Sequence, residues 1–116
     1  MNRQITVVVF SKIESKADYQ RIFLQGRKLF LPGLKFYFLT GQPKTRVAVI
    51  VSKKVAARAI RRNLFKRRIK GALLAAKDAL EQLKISLLIV AQPAISEQDY
   101  ETIKKEIDTF LQKNRA

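Results

Sequence analysis

Apolar positions along the 116-residue chain switch between a period of two and a period near 3.6, and the switches mark out its elements. Residues 5–10 (ITVVVF) are β-branched and read as a short strand or an extended piece of an N-terminal arm covering 1–14. Ser15 then reads as a helix N-cap, with Asp18 at the capping-box position. The helix is expected to run to about Gln25, with Gly26 as its C′ residue and Tyr19, Ile22 and Phe23 on one face. A basic loop, GRKLFLPG, leads into 34–39. There strict alternation sets Leu34, Phe36 and Phe38 on one face and Lys35, Tyr37 and Leu39 on the other. After the connection TGQPKT, residues 46–51 (RVAVIV) have the near-continuous β-branched run of a central strand.

From Ser52, read as a cap, one helix is expected to continue to about Leu83, because neither Pro nor Gly interrupts it before Gly71. Its second half carries a clean stripe of Phe65, Ile69, Ala72, Leu73, Ala76 and Leu80. Its first half offers only Ala59, Ile60 and Leu64 for apolar contact, so that half projects into solvent or onto a ligand. Residues 85–91 (ISLLIVA) form a second buried-type strand that Gln92-Pro93 ends. Ser96 is read as the cap of a last helix, with Asp99 at the box position and a stripe of Tyr100, Ile103, Ile107, Phe110 and Leu111. The order is α-β-β-α-β-α with a possible N-terminal strand. It predicts one α+β domain over 1–116, a two-layer α/β sandwich with helices against a small sheet.

Charge changes the picture. The formal net charge is +15 and the pI about 10.6, which directs attention to nucleic acid or an anionic membrane surface. No apolar run approaches the ~18 residues of a membrane span, and 1–12 lacks a signal-peptide cleavage pattern, so it reads as mature sequence. The cations concentrate in 52–70 (SKKVAARAIRRNLFKRRIK), where Lys53, Lys54, Arg58, Arg61, Arg62, Lys66, Arg67, Arg68 and Lys70 stand without one acid. Between Asp18 and Asp78 the chain has no carboxylate side chain at all. Like charges at this density repel, so the stretch calls for a polyanion. Asn63, a poor interior helix former, either bonds a neighbouring backbone group or reads a nucleotide.

The missing residue types are equally informative. With no Cys there are no disulfides or thiolate metal sites, and a reducing, cytoplasmic setting is allowed. With no His, a Ser-His-Asp or Cys-His nucleophile and a histidine-relayed nuclease are excluded. Metal-assisted phosphodiester cleavage would need clustered carboxylates, and the nine acids fall outside the basic region. Among the aromatics, Tyr19, Phe23 and Tyr37 are either core residues or stacking surfaces for unpaired bases. Tyr37 differs from the others in alternating with Lys35, opposite the apolar face, a setting that suits stacking, although from the residues alone the core reading is the stronger of the two.

At the basic stretch the sequence resembles the protein subunit of bacterial ribonuclease P. Ser52-Lys53-Lys54-Val55, Ala59-Ile60 and Arg62-Asn63-Leu64-Phe65-Lys66-Arg67 are similar to that family's SKKV…AV.RNR.KR signature, and Asp18 to Phe23 followed by Gly26 is similar to its first helix. Leu64 stands where the family carries a third basic residue, beside Arg61 and Arg68 as substitutes, and Ala56 replaces a common Gly. The resemblance implies a sandwich with a left-handed βαβ crossover, against the general right-handed rule. It implies a holoenzyme whose catalytic subunit is RNA, working with Mg²⁺ that no motif of this chain identifiably binds. The expected partners are ribonuclease P RNA and precursor tRNA, with no membrane and no small-molecule cofactor. Arg62, Asn63, Lys66 and Arg67 would face the RNA and substrate, while Tyr19, Phe23 and Tyr37 would line a cleft for the single-stranded 5′ leader. No catalytic residue is expected in the chain. The competing expectations are a structural, ribosomal-type RNA binder and a self-sufficient nuclease.

Overall fold

The computed structural model of the chain describes residues 10–13 and 15–114. Its elements are α1 (Lys16–Gln25), β1 (Arg27–Phe30), β2 (Leu34–Leu39), β3 (Arg46–Ile50), α2 (Ala59–Ala75), α3 (Lys77–Leu83), β4 (Ser86–Ala91), a 3₁₀ turn (Pro93–Glu97) and α4 (Tyr100–Lys113). The strands form one sheet in the order β1-β2-β4-β3. The β1–β2 and β2–β4 pairs are antiparallel and the β3–β4 pair is parallel, so α2 and α3 make the crossover between β3 and β4. The mixed α+β class is the one the sequence predicts.

Alternation along β2 sorts the two faces of the sheet. Leu34, Phe36 and Phe38 are buried with Leu87, Ile89 and Ala91 of β4 under α2, α3 and α4. Phe65, Ile69, Ala72 and Leu73 anchor α2 to this core, and Leu80 anchors α3. On α4, Phe110 stacks on Phe36 at 4.6 Å and meets Phe38 edge-on at 5.1 Å. The opposite face carries a smaller cluster, in which Ile22 of α1, Ile13 and Leu88 are buried and Tyr19, Tyr37, Leu39, Ala48, Ile50 and Val90 pack around them. Helix α1 thus covers part of the second face, and the ion pair from Asp18 to Arg46 of β3 (3.0 Å) fixes it across the sheet.

Several boundaries differ from expectation for identifiable reasons. The loop read in GRKLFLPG contains β1, an exposed edge strand whose pairing with β2 comes from backbone geometry rather than from an apolar alternation. Strand β3 is not central but lies at the other edge, beside an isolated bridge from Ser11 to Arg46. Of the possible N-terminal strand, residues 5–9 lie outside the described residues. Ser52 does not cap a helix: its carbonyl accepts the Val55 and Ala56 N–H groups in a turn, and α2 begins at Ala59 behind Arg58. The long helix also breaks at Ala76 into α2 and α3. Asp99, not Ser96, caps α4, accepting the Thr102 N–H at 2.9 Å, while Ser96 sits in the 3₁₀ turn. Ser15 caps α1 as expected. Gly26 ends α1 in extended backbone, with φ −75°, so its role is not left-handed geometry. A Cβ there would stand 2.4 Å from the Ile22 carbonyl oxygen and 2.9 Å from that of Phe38, where the helix turns straight into β1.

Candidate nucleic-acid interface

The face of the sheet that α1 only partly covers can be read off the strand register. One row across it is Lys28, Tyr37, Leu88 and Ala48; the next is Phe30, Lys35, Val90 and Ile50. Helix α1 lies over the first row through Tyr19 and Ile22. Its Phe23, 37% exposed, packs on Tyr37 with ring centroids 4.6 Å apart. Phe30 approaches Tyr37 from the other side, edge-on at 5.7 Å, and the Lys35 ammonium stands 5.1 Å from the Phe30 ring. The result, at the place expected for the cleft, is a partly exposed aromatic surface with lysines beside it, suited to stacking unpaired bases while neutralising their phosphates.

Of the three aromatics expected at this site, the structure brings all together: Tyr19 and Tyr37 half-buried beside one another's cluster, and Phe23 at the rim. It also adds Phe30, which the sequence reading missed by treating its strand as loop. The signal available was the spacing Lys28, Phe30 against Lys35, Tyr37, visible only once the two segments are known to pair.

The second row leads to the basic stretch. Strand β3 ends at Ile50, passes through the buried Val51, and emerges as Ser52, Lys53 and Lys54, all exposed. The basic stretch therefore leaves the sheet at its Phe30–Lys35 end, on the edge opposite β1, and α2 itself packs on the other face. Along α2, Arg61, Asn63, Arg67 and Lys70 are exposed and Lys66 half-buried, while Phe65 and Ile69 hold the opposite side in the core. Arg58 is exposed just before the helix. Three cations also carry internal contacts. Arg62 donates to the Ala56 and Ala57 carbonyls at 3.0 and 2.7 Å, fastening the turn that precedes α2. Arg61 lies over the Phe65 ring at 5.1 Å, and Arg68 lies over it at 5.9 Å while donating to the Gln98 carbonyl at 3.2 Å. Ile60, read as an apolar contact, is instead 81% exposed among the cations.

Among the described residues, both ion pairs belong to Asp18, with Arg21 and Arg46. The cations of 53–70 therefore form no ion pair among the described residues, and with most of them exposed their fields largely add. The described residues contain no group of three or more carboxylates able to hold a metal ion, so these side chains do not fit a catalytic metal site and no step is assigned to one. No helix of the described residues is long and apolar enough to cross a membrane.

Comparisons with known proteins bear on the family and the fold. The Ribonuclease P family model matches residues 9–115. The ribonuclease P protein component of Streptococcus agalactiae serotype Ia is 32% identical over 97 residues, covering 83% of this chain and 86% of that protein. The corresponding component of a Pseudanabaena strain is 26% identical over 111 residues, covering 91% and 92%. Among solved structures, the ribonuclease P protein of Thermotoga maritima superposes with a TM-score of 0.78 at 20% identity, over 91% of this chain and 99% of that one. That of Staphylococcus aureus gives 0.77 at 23% identity, over 87% and 92%. The match of the family model across nearly the whole chain, on a fold of the same shape, places this chain in the ribonuclease P protein family.

Proposed function

We propose that the chain is the RNA-binding protein subunit of ribonuclease P and that it assists endonucleolytic removal of the 5′ leader from precursor tRNA. The observation that carries this reading is that one fold presents partly exposed aromatic rings on one face of the sheet and, leaving β3 at the Phe30–Lys35 end, a basic stretch with no ion pair among the described residues. Lys53, Lys54, Arg58, Arg61, Arg67 and Lys70, with Lys66 and Asn63, would meet phosphates and bases of the ribonuclease P RNA. Arg62 and Arg68 would do so while holding the turn before α2 and the loop before α4. Tyr19, Phe23 and Tyr37 would receive the single-stranded leader.

The sequence has no histidine and the described residues hold no carboxylate trio, which fits a holoenzyme whose bond-breaking chemistry is carried by the RNA and its Mg²⁺ ions. The protein's physical contribution is charge. Cations on α2 displace counterions from closely packed phosphates, so fewer Mg²⁺ ions are needed to hold RNA and substrate together. The setting is the cytoplasm, where both RNAs are expected.

Reconstitution tests the proposal. With a bacterial ribonuclease P RNA, the protein should lower the Mg²⁺ concentration needed to cleave precursor tRNA. No effect on cleavage at low Mg²⁺ sinks it. Co-sedimentation with ribosomes and indifference to the leader would favour a structural RNA binder instead.

A further inference from the structure

Phe30 is a large ring on an edge strand, 54% exposed, and it belongs to neither core cluster. Exposed edge strands ordinarily carry charge and avoid bulky apolar groups, because an apolar edge invites aggregation. Here the ring is held in place from its own face of the sheet, by the Tyr37 ring at 5.7 Å and the Lys35 ammonium at 5.1 Å. Lys28, the partner of Tyr37 in the neighbouring row, lies on the same face.

We infer that Phe30 and Lys35 form an additional nucleotide place at the β1 end of the cleft, taking one further unpaired leader base on the ring and its phosphate on the ammonium. This rests on the leader-binding role proposed above. Charge selects the occupant: neither Lys28 nor Lys35 is paired with a described carboxylate, and a second copy of a chain carrying +15 would be repelled. A single-stranded nucleic acid supplies both the flat apolar group and the anion.

The experiment uses protein reconstituted with a bacterial ribonuclease P RNA and a series of precursor tRNAs whose leaders grow one nucleotide at a time from none. Dissociation constants are measured for the wild type, Phe30→Ala, Phe30→Tyr and Lys35→Gln. The wild type should gain affinity stepwise. Phe30→Ala should lose the step contributed by one long-leader nucleotide, roughly fivefold or more, while leaderless and shorter-leader substrates bind unchanged. Phe30→Tyr should keep that step, and Lys35→Gln should reduce it together with its salt dependence.

Wild-type binding by Phe30→Ala at every length overturns the inference, as does a loss by the same factor at every length including none. Self-association of the free protein that Phe30→Ala abolishes, without a leader effect, also overturns it. Should Phe30→Ala fail to fold, Lys35→Gln and Phe30→Tyr decide alone. A wild type indifferent to leader length would overturn the leader-binding role itself, whereas a leader effect that Tyr37→Ala removes and Phe30→Ala leaves intact would overturn only this extension.

Discussion

The Phe23 and Tyr37 rings lie 4.6 Å apart, with planes inclined by 59°, although one comes from α1 and the other from β2. Neither element alone makes the cleft. It exists because Ile22, one residue before Phe23, is fully buried against Leu88 on the neighbouring strand, which presses α1 onto the sheet.

Tyr37→Ala should weaken binding of long-leader precursor tRNA to the reconstituted complex by about 1–3 kcal/mol, the usual worth of one stacked base. Leaderless substrate should lose much less. Filter binding with matched substrates measures the difference, and equal losses for both would assign Tyr37 to packing alone. Tyr19→Ala should act in the same direction.

Arg67 is exposed and has no internal partner among the described residues, so its contribution to RNA binding is almost wholly electrostatic. Arg67→Ala should reduce the log–log salt slope of RNA binding by about 0.7–0.9. A slope equal to that of the wild type removes Arg67 from the interface. Arg62→Ala should change the slope and also release the Ala56 and Ala57 carbonyls, so that the turn before α2 becomes more sensitive to protease.

Glu106 is buried on α4, where its carboxylate accepts the Gly33 N–H at 3.0 and 3.1 Å and the Gln98 side-chain amide at 2.8 Å. It ties the β1–β2 connection to α4 and to the loop whose carbonyl holds Arg68. Glu106→Ala leaves these donors without an acceptor and should cost about 2–3 kcal/mol in urea unfolding. Glu106→Gln, which still offers one acceptor oxygen, should cost less. A midpoint unchanged by Glu106→Ala would show that water replaces the carboxylate without penalty.

Asp99 caps α4, and hydrogen bonds from the Thr102 backbone and hydroxyl, with a smaller contribution from the Arg68 charge, hold its carboxyl below the ordinary value of 3.8. A carboxyl depressed in the folded state adds stability that is complete above its unfolded value and disappears as pH falls through the folded one. The cap should therefore be at full strength near neutrality and weaken only below about pH 4. Asp99→Asn, a neutral cap, should flatten that acid-side loss in unfolding midpoints measured from neutrality downwards. An identical acid profile for both proteins would overturn the assignment.

Much of this was legible in the chain. The alternation of Leu34, Phe36 and Phe38 against Lys35 and Tyr37 fixes two faces whatever the strand pairs with, because successive side chains must point oppositely. The stripe from Phe65 to Leu73 likewise selects the buried side of α2 by helical spacing alone. The cation density of 52–70 is a property of composition and survives any fold.

Other features are long-range. That Arg27–Phe30 is a strand, and so that Phe30 stands beside Tyr37 and Lys35, follows from backbone hydrogen bonds to β2 that no local pattern announces. Where α2 begins was settled by the Ser52 turn and by Arg62 reaching back to two carbonyls, contacts that outweigh the continuous helical propensity of the stretch. Local periodicity thus determined which side chains are inside and where the charge lies. Only tertiary structure decided that Phe23, Tyr37 and Phe30 gather on one face of the sheet and that the basic stretch leaves β3 at its Phe30–Lys35 end, because strand order and register depend on contacts between residues far apart in the chain.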